Sequence, residues 1–151
     1  MATRRQSILE TLVARVELIL TSNGFDTDAG QKVHFGEIPE IGPDDPAQLI
    51  AVVVGVEQPL WMQHGLKAQI MLPVSIAAIV NADLSRPYLA VEQVIGDIKR
   101  AVELEDRYLG GLLQWPFERG TVQTLQRESG STSVGASVSY VFRFEEGWGV
   151  P

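Results

Sequence analysis

Between Leu66 and Val80 every second residue is apolar: Leu66, Ala68, Ile70, Leu72, Val74, Ile76, Ala78 and Val80. Side chains of an extended chain alternate between two faces, so this period builds one continuous greasy face, whereas a helix would scatter the same residues around its circumference. The stretch is expected to be a strand, and its greasy face needs a cover. The opposite face reads Lys67, Gln69, Met71, Pro73, Ser75, Ala77 and Ile79, polar at its start and apolar at its end, as in a strand that leaves solvent and enters a second contact. At about 3.3 Å per residue it would run roughly 50 Å, well beyond the usual strand of about five or six residues. Pro73 interrupts it. Proline has no N–H to give to a ladder, so a bulge, a bend, or an edge position with the missing donor turned outward is expected there. A strand of this length either curls or reaches out of its own domain towards a neighbour.

Two segments have the periodicity of covering helices. From Thr3 to Ser22 the apolar residues Ile8, Leu9, Leu12, Val13, Val16, Ile19 and Leu20 recur at threes and fours, and Arg4, Arg5, Glu10, Arg15 and Glu17 occupy the remaining surface. Asn23-Gly24 is expected to close this helix in the left-handed conformation. A second helix should follow the turn 81–87, with Ser85 as its cap and Pro87 in its first turn. Its apolar stripe is Val91, Val94, Ile95, Ile98, Ala101 and Val102. Gly96 inside it costs helix stability relative to alanine, which points to close approach of the helix to the sheet. Residues 105–109 are expected to extend or restart the helix, and Gly110-Gly111 to stop it.

The other strand candidates are 31–35, 49–56, 121–127 and the cleanly alternating 134–145. The nearly all-aliphatic run from Leu49 to Val56 suits a central strand covered on both faces. In the alternating one, Val134, Ala136, Val138, Tyr140, Phe142 and Phe144 form the core side, joined to the polar strand before it through the loop 128–132.

The connections hold the residues that could contact something else. Residues 36–47 combine Pro39, Gly42, Pro43 and Pro46 with Glu37, Glu40, Asp44 and Asp45, a loop that can be neither helix nor central strand. Clustered carboxylates can hold calcium or magnesium, but the D-x-D-x-D-G ligand spacing is missing, and a solvated acidic connection accounts for the composition. Between Glu57 and Gly65, Leu60, Trp61 and Met62 stand together; large apolar side chains at a loop tip either fold back as a lid or meet another protein. Trp148, between two glycines near the end of the chain, is either tucked onto the body or an anchor for a neighbour. His34 and His64 have no serine or carboxylate at a telling spacing, so no catalytic, cofactor-binding or metal-binding residue is assigned.

Composition narrows the function classes. A chain of 151 residues is expected to form one domain, 1–151, that buries about two-thirds of its unfolded surface. Its net charge of −7 argues against a nucleic-acid-binding module, which would carry a basic stripe. Without cysteine there is neither a disulfide frame nor a thiolate metal site. The charged amphipathic start is unlike a signal peptide, and no apolar run reaches membrane-spanning length. The order helix, three strands, helix, two strands predicts an α+β fold: a mainly antiparallel β-sheet of about five strands with two main helices packed on one face. Long strand edges left open would be liabilities unless paired, so assembly is expected to use the free side.

The layout as a whole resembles the tail-terminator, or tail-completion, proteins of long-tailed bacteriophages. The resemblance lies in the N-terminal helix ending in T-S-N-G-F-D-T-D-A-G, the strand K-V-H-F-G-E, the long alternating strand, the helix around D-I-K-R-A-V-E-L-E-D-R-Y-L-G-G, and the closing S-Y-V-F-R-F-E-E-G-W-G-V-P. It extends over essentially all 151 residues. It implies a structural virion protein, not an enzyme, that forms a hexameric ring at the head-tail junction. Such a ring caps the tail tube, ends its polymerisation and offers a surface to a head-completion or connector protein, while DNA passes through without specific binding. Assembly would take place in the host cytoplasm, with no cofactor and no membrane. On this basis Leu60, Trp61, Met62 and Trp148 are expected at partner contacts, and Glu37, Glu40, Asp44 and Asp45 facing the channel or solvent. Two alternatives are another neck or connector protein and a small ligand-binding α+β domain.

Overall fold

The long alternating stretch forms a strand over almost its full length in the computed structural model, which describes residues 2–36, 48–60, 67–82, 85–125 and 132–150. In chain order the elements are α1 (Arg4–Val16), β1 (Val33–Phe35), β2 (Leu49–Val54), β3 (Gln58–Pro59), β4 (Lys67–Asn81), α2 (Pro87–Glu103), β5 (Glu118–Leu125) and β6 (Ser133–Gly147). The sheet runs β1-β2-β4-β6-β5, with β3 also pairing β4. Only β1 and β2 are parallel; the remaining pairs are antiparallel. This is the expected α+β architecture, with the two-residue β3 as an added strand.

The centre is the β4–β6 ribbon, paired in one register from Lys67↔Gly147 to Asn81↔Ser133. Its even-numbered residues share a face, and Ile70, Leu72, Val74, Ile76, Val138, Tyr140, Phe142 and Phe144 are buried there. Ile8, Leu12 and Val16 of α1 and Val91, Val94, Ile98 and Val102 of α2 complete the same core. Phe117, on the approach to β5, sets its ring edge-on to Tyr140 at 5.6 Å between centroids. The buried phenol of Tyr140 needs a partner and donates to Glu103 Oε2 at 2.8 Å; burial and this acceptor push its pKa far up.

Of the alternatives expected at Pro73, the bulge is absent, since the β4–β6 register passes through Pro73↔Val141 without a shift, and the outward-turned missing donor is the one that fits. The proline is tolerated because β2 has already ended at Val54, opposite Val74. Its carbonyl accepts from Gly55 N at 2.8 Å. The nitrogen of a strand residue points to the same side as its carbonyl, so the missing donor falls in the gap between β2 and β3. Gly55 fits this gap because a Cβ there would lie 2.8 Å from Pro73 Cγ.

The first helix ends well before Ser22. It is capped by Thr3, whose side chain accepts from Gln6 N, and stops at Val16. Gly30 accounts for the early end: its N–H donates to Ile19 O at 2.8 Å, and a Cβ on it would sit 2.4 Å from Val16 O. The chain wraps around that glycine, so Ile19 is buried from outside the helix. Gly24 does take a left-handed conformation, φ 86°, but closes the short 3-10 turn Thr21–Asn23 instead.

At α2 the cap residue is Arg86 rather than Ser85, and Pro87 opens the helix. The far end stops at Glu103, and residues 105–109 neither extend nor restart it. Arg15 of α1 donates to Val102 O at 2.8 Å and to Asp106 O at 2.7 Å, taking up one carbonyl of the last turn and one beyond the helix end. The Asp106 carboxylate accepts from Tyr108 N and Gly110 N, which folds the chain into a turn and holds its pKa low. Gly96 is exposed on the outer side of α2, and a methyl group in place of its hydrogen would meet nothing within 4 Å, so it marks no close approach to the sheet.

Candidate partner-binding site

One end of the ribbon gathers two of the residues expected at partner contacts. β3 pairs β4 through Gln58↔Met71 and Pro59↔Ile70, and Leu60 N donates to Gln69 O at 2.8 Å, carrying the pairing one residue further. Gln69 in turn pairs Glu145 of β6, two residues short of Gly147. The chain then turns, with Val150 N donating to Gly147 O at 2.9 Å and Gly149 at φ 73°. A left-handed third residue favours glycine, and the turn leaves Trp148 67% exposed. Trp148 is therefore not tucked onto the body. Leu60 is half-buried. Val56 and Val150 are exposed nearby in the chain.

The same end carries a cluster of charge formed by Arg4, Arg5, Glu57 and Glu146. Arg5 Nη1 lies 3.1 Å from Glu57 Oε1. The first turn of α1 holds Arg4 and Arg5 and no acidic residue, an arrangement unfavourable to the helix dipole unless carboxylates lie beyond it. Glu57 and Glu146 supply them. Burial raises the pKa of Glu146, the charge of Glu57 raises it further, and Arg4 and Arg5 act in opposition.

Trp61 and Met62 lie outside the described residues, as do His64 and all four acidic positions Glu37, Glu40, Asp44 and Asp45. His34 sits on β1 opposite Ala51. Among the described residues no group of three or more His, Asp or Glu is placed to hold a metal ion, and no helix is long and apolar enough to cross a membrane.

Two surface features are not foreseen from the sequence. A groove of about 510 Å³ runs along α1, lined by Thr3, Gln6, Leu9, Val13 and Ala14 and closed on one side by Phe35. Its signal is the adjacent apolar pairs Ile8-Leu9 and Leu12-Val13, which widen the greasy arc beyond what one buried face requires. Phe35 and Val122, both exposed, stand on the two outermost strands. Comparison with known proteins gives no match: no family model fits the chain, and no curated protein matches it.

Proposed function

We propose that this chain is a structural subunit that closes into a hexameric ring on the end of a phage tail tube, stopping tube growth and presenting a surface for joining to the head. The observation that carries the reading is the end of the β4–β6 ribbon, which holds both Leu60, bonded through its N–H to Gln69 O, and the exposed Trp148 after Gly147. An exposed tryptophan flanked by small residues is the type of side chain on which binding energy concentrates. The layout resembling tail-terminator proteins supplies the identity of the partners: other copies, the tube protein and a connector protein. A net charge of −7 suits a ring that DNA traverses without sticking.

The test is solution mass, followed by electron microscopy of rings alone and on purified tail tubes. Six-membered rings that cap tubes and limit their length support the reading; a monomer indifferent to tubes overturns it. Trp148→Ala should weaken binding to tubes or neighbouring copies by about 30-fold, corresponding to about 2 kcal/mol. Trp61→Ala should do the same. Unaltered capping and oligomer mass in both variants would remove these residues from the contact.

A further inference from the structure

We propose that neighbouring copies join edge to edge, the outer edge of β5 in one copy pairing antiparallel with the outer edge of β1 in the next; this rests on the ring reading above and specifies its subunit contact. Among the described residues β1 and β5 end the sheet, so each has one paired and one free edge. Unpaired N–H and C=O groups along a strand are satisfied best by another strand.

Strand direction selects the pairing. β1 is parallel to β2, β2 antiparallel to β4, β4 to β6 and β6 to β5, so β1 and β5 run in opposite senses. A second copy added by continuing the sheet therefore brings β5 against β1 as an antiparallel pair. The two surfaces differ, which makes the contact heterologous, as closure into a ring requires.

The side chains agree with that arrangement. Phe35 pairs Val52 and Val122 pairs Val138, both on the helix-covered face. Phe35, 56% exposed, and Val122, 39% exposed, thus lie on the same face at opposite margins and would cover each other on joining. Side-chain alternation then restricts the register: Phe35 can oppose Val122 or Thr124 but not Gln123, which belongs to the other face. The usable lengths also match. A register shift between Arg119 and Val122 leaves Val122 to Leu125 as the straight part of β5, against the three residues of β1.

Charge is absent from the two margins that would meet. Copies carrying −7 repel one another, yet Val33 to Phe35 and Gly120 to Leu125 contain no Asp, Glu, Lys or Arg. Exposed edges are commonly blunted by just such charges.

The chain has no cysteine, so introduced thiols report without background. Phe35→Cys and Val122→Cys proteins, prepared separately, mixed and oxidised, should give a disulfide-linked dimer that neither gives alone; Thr124→Cys serves as a second partner. The double variant Phe35→Cys/Val122→Cys should give a ladder ending at the ring. Gln123→Cys in place of Val122→Cys should lower the yield at least tenfold. Rings in which Phe35→Cys links to neither Val122→Cys nor Thr124→Cys, or in which Val122→Cys links to itself, would overturn the edge contact and leave the ring standing. The link formed in assemblies that never close would support the edge contact and sink the ring. Monomers without any link would sink both.

Discussion

At Gly96 the sequence signal and the surroundings disagree. Glycine in a helix costs about 0.5–1 kcal/mol relative to alanine, and close contact with the sheet would justify it, but nothing lies within 4 Å of an added Cβ. Gly96→Ala should therefore stabilise the protein by about 0.5–1 kcal/mol, raising the melting temperature by up to about 4 °C; a decrease would reveal a neighbour at that face. Gly30 is the opposite case, since its Cβ would meet three backbone carbonyls that cannot move aside. Glu146 makes a pH-dependent test. Its pKa in the folded chain is raised above the ordinary 4.5 by burial and by Glu57, so the folded state holds that proton more tightly than the unfolded one. The resulting stabilisation is complete below the unfolded value and is lost as pH rises through the folded value. Glu146→Gln should accordingly raise the melting temperature at pH 7 and change it little below the ordinary glutamate value. Asp28 has the reverse sign: Thr21 donates to it from both N–H and hydroxyl and lowers its pKa, so its contribution disappears as pH falls.

The elements were legible where one period dominates a long run. Alternation from Leu66 gave β4 within one residue at each end, because the buried face of the ribbon is set by side-chain parity alone. The threes and fours gave both helices and their starts near Thr3 and Pro87, but not their C-terminal ends. Those are decided by distant partners: Gly30 against the carbonyls after Val16, and Arg15 on Val102 O and Asp106 O. β3 was missed because a strand of two residues ending in proline has no periodicity to read. Asp97 is equally silent in sequence, appearing as a polar residue in an apolar stripe, yet it is 1% exposed. Its two oxygens accept from Asp26 N at 3.1 Å and from Thr27 N and Oγ1, each at 2.8 Å, tying the loop after α1 to α2. Arg100 strengthens the tie by donating to Gly24 O and lying over the Phe25 ring. Asp97→Asn turns one acceptor into a donor facing donors, which should cost about 2–3 kcal/mol. That corresponds to a melting temperature lower by roughly 4–12 °C; an unchanged melt would mean that the loop holds without this clamp.

For the whole molecule the candidate site was only half legible, because large apolar residues in short connections announce a contact without saying where the fold carries them. Leu60 and Trp148 are 88 positions apart in the numbering and come to the same end of the sheet only because β4 and β6 pair along their whole length. The charge of the chain then makes a test of what holds copies together. If the subunit contact is the uncharged margin of Phe35 and Val122, its attraction is apolar and hydrogen-bonded, while the −7 carried by each copy opposes it. Salt shortens the reach of that repulsion, from a Debye length of about 30 Å at 0.01 M to about 10 Å at 0.1 M. It leaves apolar burial essentially intact. The oligomer fraction measured by sedimentation should therefore rise by at least about threefold in association constant over that range of ionic strength. A fall would require ion pairs across the contact, of the kind Arg5 and Glu57 make within one chain at the ribbon end. It would move the subunit interface from the sheet margins to that charged end, and with it the surface available to the tube.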